Sequence, residues 1–392
     1  MGAILTNRGS TLFGTKGQIS VSRGLAEFHA RRPVLIVSGR NAVLALPVEG
    51  LDAQRLAEFI TLCAPARPRL VITTRRALAL GLDATTPVAL KLTADHGVKK
   101  ILALVANAKI DGTFEVTPAG PASTAAIQLV KLSQGLPAVL AADVAAEDMI
   151  AREPQIVAVE AEAVSRFGED IIRSLAIASD ASVPLNSGTP TRFVIFRDAM
   201  GGSSVAIIVG KPDFANPVPV RLHSACLTGD VFGSRRCDCG DQLKLALARL
   251  EDVGGGIILY LAQEGRGLGL ANKMRTYQMQ DDGLDTVDAN TTLGFDDDER
   301  DYGIAARMLR MLNCTRTVLL TNNPAKLDGL AKAGIEIAGR MPLEAPINAD
   351  NRRYLTAKAA RAGHQLDHLL NSLVEPSESK RDVSPDVAPL AT

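Results

Sequence analysis

Tryptophan is missing altogether, and aromatic residues make up only 4% of the 392-residue chain. Broad stacking platforms of the kind that hold single-stranded nucleic acid are therefore not expected. An excess of one charge is missing too: 43 Lys and Arg balance 43 Asp and Glu. No global field then draws the chain to DNA, RNA or an anionic membrane, and any anion must be held by a few placed cations. No apolar run approaches the ~20 residues that a membrane helix needs. The first residues, Met1 to Arg8, lack the basic stretch and apolar core of a secretory leader. Five cysteines, unevenly placed, are too few for a disulfide framework. A reduced, cytoplasmic protein with thiol or metal chemistry is the expectation.

At about 100–200 residues per domain, the length suggests two domains and a tail. Residues 1–175 read as alternating strands and helices, with strand runs at 33–38, 70–74, 100–105 and 137–141 and a helix over 51–62 capped by Asp52. That alternation predicts an α/β layer architecture. The Ser, Pro, Gly, Asn and Thr of 182–191 predict a linker. Beyond it, paired strands at 192–196 and 204–210 and a third at 218–223 are followed by alternating helix and strand, a mixed sheet of α+β type. The Pro-, Ser- and charge-rich residues 375–392 predict a disordered tail.

Cys226, Cys237 and Cys239 fall within fourteen residues, two of them in a Cys-Asp-Cys step. A cluster of thiolates holds a soft or borderline divalent ion, most often Zn²⁺, and three ligands leave the fourth position open for catalysis. His223, three residues upstream, is a candidate to close that position. The run Gln263-Glu-Gly-Arg-Gly-Leu-Gly-Leu270 sits between a strand and a helix, where backbone N–H groups meet phosphate, and Arg266 adds a charged fork. Thr321-Asn-Asn-Pro-Ala-Lys326 repeats the theme, with Pro324 in a helix first turn. Two such ends beside a thiolate cluster suggest a polyphosphate substrate next to a metal. The acidic run Asp296 to Asp301 reads by itself as a solvated helix start.

Taken together, His223-Ser-Ala-Cys-Leu-Thr-Gly-Asp, Cys237-Asp-Cys-Gly-Asp-Gln-Leu, Gln263-Glu-Gly-Arg-Gly, Asp285-Thr-Val-Asp-Ala-Asn, Asp298-Glu-Arg-Asp and Leu320-Thr-Asn-Asn-Pro resemble GTP cyclohydrolase II of riboflavin biosynthesis, over residues 178–370. The resemblance implies hydrolysis of GTP to formate, pyrophosphate and a diamino-ribosylamino-pyrimidinone 5′-phosphate. It implies one Zn²⁺ per subunit on Cys226, Cys237 and Cys239, Mg²⁺ with the GTP phosphates, and a homodimer. GTP contacts fall to Arg221, Leu222, His223, Ser224, Ala225, Gln242, Glu264, Gly265, Arg266, Thr286, Thr321 and Lys326. Asp298 becomes the proton acceptor, Tyr277 a base-side catalytic residue and Arg300 a nucleophile. A guanidinium is protonated at working pH, so stabilisation of the α-phosphate charge by Arg300 is an equal alternative. Ala225 stands where many family members carry Glu, which leaves only a backbone contact there. Other readings of the same motifs are a paralogue that takes another nucleotide or stops at an intermediate, and a non-catalytic nucleotide-binding scaffold.

The N-terminal half, through Leu25-Ala-Glu-Phe-His-Ala-Arg-Arg-Pro-Val-Leu-Ile-Val, is similar to 3,4-dihydroxy-2-butanone 4-phosphate synthase. That family follows its first strand with an acidic run for Mg²⁺, whereas Ser38-Gly-Arg-Asn-Ala-Val-Leu-Ala-Leu offers no carboxylate before Glu49. A hard cation needs oxygen ligands. Residues 1–175 are expected to be inert in that reaction and to serve packing or dimerisation, with His29 and His96 uninvolved in catalysis.

Overall fold

In the computed structural model, residues 14–352 are described apart from 94, 109, 111 and 349, together with 355, 356 and 361. Residues 1–13 and the 375–392 tail lie outside the described residues.

The N-terminal half orders as α1 (Lys16–His29), β1 (Val34–Ser38), β2 (Asn41–Pro47), α2 (Ala53–Cys63), β3 (Arg69–Ile72), α3 (Thr74–Ala79), β4 (Val88–Lys91), α4 (Val98–Ala106), β5 (Val116–Pro118), α5 (Pro121–Leu132), β6 (Ala138–Val144), α6 (Ala146–Arg152), β7 (Val157–Glu160) and α7 (Ala161–Ser174). Its strands form one sheet in the order β5-β4-β3-β6-β2-β1-β7, antiparallel except for the β1–β7 pair. Central β2 is buried on both faces: Leu44 and Leu46 enter one core while Val43 and Ala45 enter the other, as the two-residue side-chain period requires. Asp52 caps α2 as expected, its carboxylate accepting the amide of Arg55.

The C-terminal half contains β8 (Ala176–Ser182), β9 (Thr191–Arg197), β10 (Ser203–Gly210), β11 (Val218–Ser224), α8 (Cys239–Asp252), β12 (Gly255–Leu261), α9 (Leu270–Asp281), α10 (Thr286–Thr292), α11 (Gly303–Met311), β13 (Arg316–Leu320), α12 (Pro324–Lys332) and β14 (Glu336–Met341). The sheet order is β14-β13-β11-β12-β10-β9-β8. Strands β14, β13, β11 and β12 run parallel, and β10, β9 and β8 close the sheet antiparallel. Two mixed sheets flanked by helices therefore make up the described chain.

Two expectations fail. Residues 100–105 are helical, not a strand: Ile101, Leu104 and Val105 are the buried face of α4, a spacing of three and four that a short apolar run disguises. Residues 182–191 are no interdomain linker but the loop of the β8–β9 hairpin, in which Ser182 pairs with Arg192.

The halves share a core. Leu268, Met279, Ala289, Leu293 and Phe295 of the C-terminal half are buried in the same cluster as Leu44, Leu70 and Leu104 of the N-terminal half.

Candidate active site

Parallel strands β13, β11 and β12 end on the same side of the sheet, and the loops leaving their carboxyl ends build one cleft, the usual ligand position in such sheets. The cleft holds about 1010 Å³ of empty volume, its open mouth included. Alternation along β11 decides what enters it. Arg221 and His223 line the cleft, whereas Leu222 packs into the core of the sheet. Leu222 thus offers no side chain to a ligand, and its carbonyl accepts from the Lys326 ammonium at 2.7 Å.

Cys226, Cys237 and Cys239 come together. Their sulfurs lie within 4.8 Å of one another, with 3.7 Å between Cys226 Sγ and Cys237 Sγ. Four-coordinate zinc at about 2.3 Å from each sulfur sets sulfurs about 3.8 Å apart, so the trio fits a metal of that kind. Gly229 supplies the room: a Cβ there would stand 2.9 Å from Cys237 Sγ and 3.0 Å from Cys226 Sγ. Gly240 in turn lets the Gly229 carbonyl pass, since its Cβ would meet that oxygen at 2.3 Å. Hydrogen bonds with Cys237 and Cys239, then the Lys273 ammonium, hold Cys226 well below the usual thiol range despite burial. Cys237 is pushed up to about 11, first by its hydrogen bond with Cys226.

His223 does not close the trio. Its Nε2 faces Asp230 Oδ1 and Oδ2 at 3.0 and 3.1 Å, and its ring stacks on Tyr260 at 5.5 Å. Burial pulls its pKa down against the pull of Asp230, so the ring is neutral at pH 7 and donates from Nε2. Asp230 also accepts from the Cys226 amide and the Tyr260 hydroxyl, both at 2.9 Å. Nδ1 of His223, Nε of Arg221 and Oγ of Ser224 are buried with no partner among the described residues, three polar atoms left for a ligand.

Cations ring the cleft. Arg221 donates to the Leu320 carbonyl at 2.9 Å and to Gln242 Oε1 at 2.5 Å, and Gln242 is held by Asp238. Burial brings the Arg221 pKa down to about 10, so it stays charged at neutral pH. Arg266, Arg300 and Lys326 line the same space, as do Ser224, Ala225, Glu264, Gly265, Tyr277, Thr286 and Thr321. The glycine loop is tighter than its sequence suggests. Gly265 and Arg266 both take left-handed backbone angles, and the amides of Gly267, Leu268 and Gly269 bond to carbonyls within the turn. It offers the Arg266 side chain rather than a row of free amides. The Ala225 amide is likewise taken by the Leu261 carbonyl, so only the Ala225 carbonyl remains for a ligand.

The acidic run is not simply a solvated helix start. Asp296 pairs with Arg75 at 2.9 Å and Glu299 with Lys131 at 2.6 Å, both partners from the N-terminal half. Asp298 stands outside the cleft lining and takes a two-pronged contact from Arg300, with Nε to Oδ1 at 2.7 Å and Nη2 to Oδ2 at 2.5 Å. Burial raises the Asp298 pKa, but the Arg300 bonds and charge outweigh it and hold the carboxyl below its usual range.

Lys273 escaped the sequence reading, and Asp230, Asn290 and the two glycines, though they lie within the quoted motifs, were given no role there. Lys273 stands one turn from Tyr277 on α9, a spacing that would have found it. Its ammonium reaches Cys226 Sγ at 3.0 Å, Glu264 Oε1 at 2.7 Å and Thr228 Oγ1 at 3.1 Å.

Among the described residues, no helix is long and apolar enough to cross a membrane. Fold and site together define a protein with a cysteine group able to bind a metal inside a cleft of buried cations. A family model described as GTP cyclohydrolase II matches residues 176–342. A GTP cyclohydrolase-2 of Azospirillum brasilense is 41% identical over 364 residues, covering 88% of this chain and 94% of the relative. One from Xylella fastidiosa is 38% identical over 387 residues, covering 96% and 94%. One from Azotobacter vinelandii is 46% identical over 202 residues, covering 52% of this chain and 97% of the relative. The chain belongs to the GTP cyclohydrolase II family.

Proposed function

We propose that the chain hydrolyses GTP to formate, pyrophosphate and 2,5-diamino-6-(5-phosphoribosylamino)pyrimidin-4(3H)-one, the entry step of riboflavin biosynthesis. The observation that carries this reading is the convergence of Cys226, Cys237 and Cys239 with Arg221, Arg266, Arg300 and Lys326 in a single cleft. Cys226, Cys237 and Cys239 would hold the zinc, one per subunit, and Mg²⁺ would accompany the phosphates. Bound there, zinc supplies the Lewis acidity that makes water nucleophilic at neutral pH, which opening the imidazole ring and releasing formate both require.

The chain's own residues do the rest. Arg221, locked by Leu320 and Gln242, gives a fixed cation whose Nε–H is left for a ligand, and Arg266 and Lys326 add charge for the phosphates. Thr286 and Thr321 supply hydroxyls to the ligand. Tyr277, its pKa raised by burial, stays protonated and donates a hydrogen bond on the base side. Arg300 is fixed by the fork it makes with Asp298, which stabilises the cation and works against a nucleophilic guanidine. Its role is therefore charge stabilisation at the α-phosphate, with Asp298 orienting it and able to accept a proton.

The N-terminal half is inert as a dihydroxybutanone phosphate synthase in this proposal. Its first carboxylate after β1, Glu49, is engaged by Arg275 at 2.7 Å and by the Leu136 amide at 3.2 Å. His29, on the surface, faces the Ser133 carbonyl at 3.2 Å. Zinc-loaded full-length protein incubated with GTP and Mg²⁺ tests the whole proposal. Formate and pyrophosphate should appear together; absence of both rejects it, and pyrophosphate without formate supports a reaction that stops at an intermediate.

A further inference from the structure

Arg76 is 1% exposed and leads the fully buried side chains by volume. Its described hydrogen-bond acceptors are all backbone carbonyls. Nε donates to Leu104 at 2.7 Å, and Nη2 to Ala103 at 3.2 Å and Asn107 at 2.9 Å. Nη1 donates to Thr292 at 2.7 Å, across 216 residues of sequence. The first three carbonyls end α4 in the N-terminal half, and the fourth ends α10 in the C-terminal half. The Ala103 carbonyl also accepts the Asn107 amide, but the last carbonyls of a helix generally lack a partner within it and carry the negative end of its dipole, so a cation is favoured beside both ends. A buried guanidinium remains costly to desolvate, and an apolar side chain would fill the same space more cheaply. What arginine alone adds is a rigid fork that ties two helix ends together.

The helix tied in this way bears on the cleft. Thr286 at its start and Asn290 one turn later both line the cavity. Two more contacts hold the segment that follows: Thr73 Oγ1 donates to the Gly294 carbonyl at 2.7 Å, and Phe295 is buried in the shared core. We propose that Arg76 is a positioning residue for the cyclohydrolase site, fixing α10 to the N-terminal half and thereby setting where Thr286 and Asn290 stand in the cleft. The N-terminal half then serves the neighbouring site, not a second reaction of its own. This assignment rests on the reading of the cleft as a GTP site.

The test uses the full-length holoenzyme with Arg76→Met, which keeps the bulk and removes the fork, and Arg76→Lys. The hydrogen-bond acceptors of Arg76 include none of the three cysteines, so zinc content should stay at the wild-type level. KM for GTP should rise roughly tenfold while kcat moves by less than about threefold. Hydrogen exchange should quicken over 286–294 and stay as in wild type over β9 to β12, with Arg76→Lys between the two. An unchanged KM, or exchange that quickens evenly in both sheets with kcat falling as far as kcat/KM, overturns the proposal. Should Arg76→Met not fold, the wild-type holoenzyme decides through reciprocity, because a coupling of two sites acts in both directions. A non-hydrolysable GTP analogue should then slow exchange over 98–107 as well as over 286–292. Protection of 286–292 alone overturns it. An analogue that protects neither stretch refutes the GTP reading, and the nucleotide-free exchange comparison of wild type with Arg76→Met or Arg76→Lys judges the positioning role separately.

Discussion

Lys273 Nζ stands 3.0 Å from Cys226 Sγ, a thiol held well below its usual range. Burial alone would lower the lysine pKa, yet Glu264 and Cys226 outweigh it and keep the ammonium charged. Three thiolates around a divalent ion would leave one excess negative charge, and this ammonium, which Glu264 also engages, would offset part of it.

Lys273→Met should therefore weaken zinc binding, by about 10–100-fold as for other partners of metal-bound groups. Competition with a chromophoric chelator measures it. The metal-free variant should also react more slowly with iodoacetamide at Cys226, since less thiolate is present at neutral pH. Chelator curves that superimpose on wild type would detach Lys273 from the cluster.

Gly229→Ala places a methyl 2.9 Å from Cys237 Sγ and 3.0 Å from Cys226 Sγ. The two sulfurs must then separate or the loop must shift. Zinc stoichiometry should fall well below one per chain, with far-UV circular dichroism nearly unchanged because the glycine lies in a single π-helical turn, Leu227–Val231, between β11 and α8. Full zinc occupancy in the variant would mean that the trio does not need this close approach.

The cluster that this prediction probes was legible because cysteine chemistry is local: Cys226, Cys237 and Cys239 lie close in sequence and the loop needs only to fold back. Strands β9 to β13 and the Asp52 cap were legible for a similar reason, since alternation and capping act over a few residues. Lys100 to Val105 was misread because six apolar-rich residues satisfy a buried strand and a helix face equally well. Asp230 and Lys273 gain part of their roles from groups that only the fold brings near, Tyr260 for Asp230 and Cys226 for Lys273, and the one local signal for Lys273 is its spacing from Tyr277. The partnership of Arg76 with Thr292 is of the same kind, at a separation of 216 residues.

Arg300→Ala tests the pair with Asp298 through pH. In the wild type the folded Asp298 pKa lies below the unfolded value of about 3.9. Between the two the unfolded chain binds more protons, so this group's contribution to stability is present above that value and is lost as pH falls through the folded pKa. Removing the guanidinium leaves burial, which raises the pKa, and the acid dependence from this residue should shrink or change sign. Urea midpoints measured from pH 3 to pH 6 should show the weaker slope. Turnover of GTP should vanish while zinc content holds, and retained turnover would remove Arg300 from the chemistry.

Deleting residues 1–175 uncovers Leu268, Met279, Ala289, Leu293 and Phe295 at once, because the cluster that buries them is built largely from the lost half. It also removes Arg75 and Lys131, the partners of Asp296 and Glu299 beside Asp298. The cysteines, Arg221, Arg266 and Lys326 all survive, so the chemistry itself is not deleted. The relative from Azotobacter vinelandii aligns over 97% of its own length with only 52% of this chain, so that relative is a shorter protein. In this chain, however, truncation leaves a contiguous apolar face in water, and such a face drives association. The truncated protein should bind 8-anilinonaphthalene-1-sulfonate, elute as aggregate or oligomer from a sizing column, and turn over GTP at least tenfold more slowly per zinc, as an order of magnitude. A second variant, Phe295→Ala in the full chain, removes one large member of that face and should cost about 3–5 kcal/mol of stability. Monomeric, dye-silent and fully active truncated protein would show that the shared core is incidental to the site.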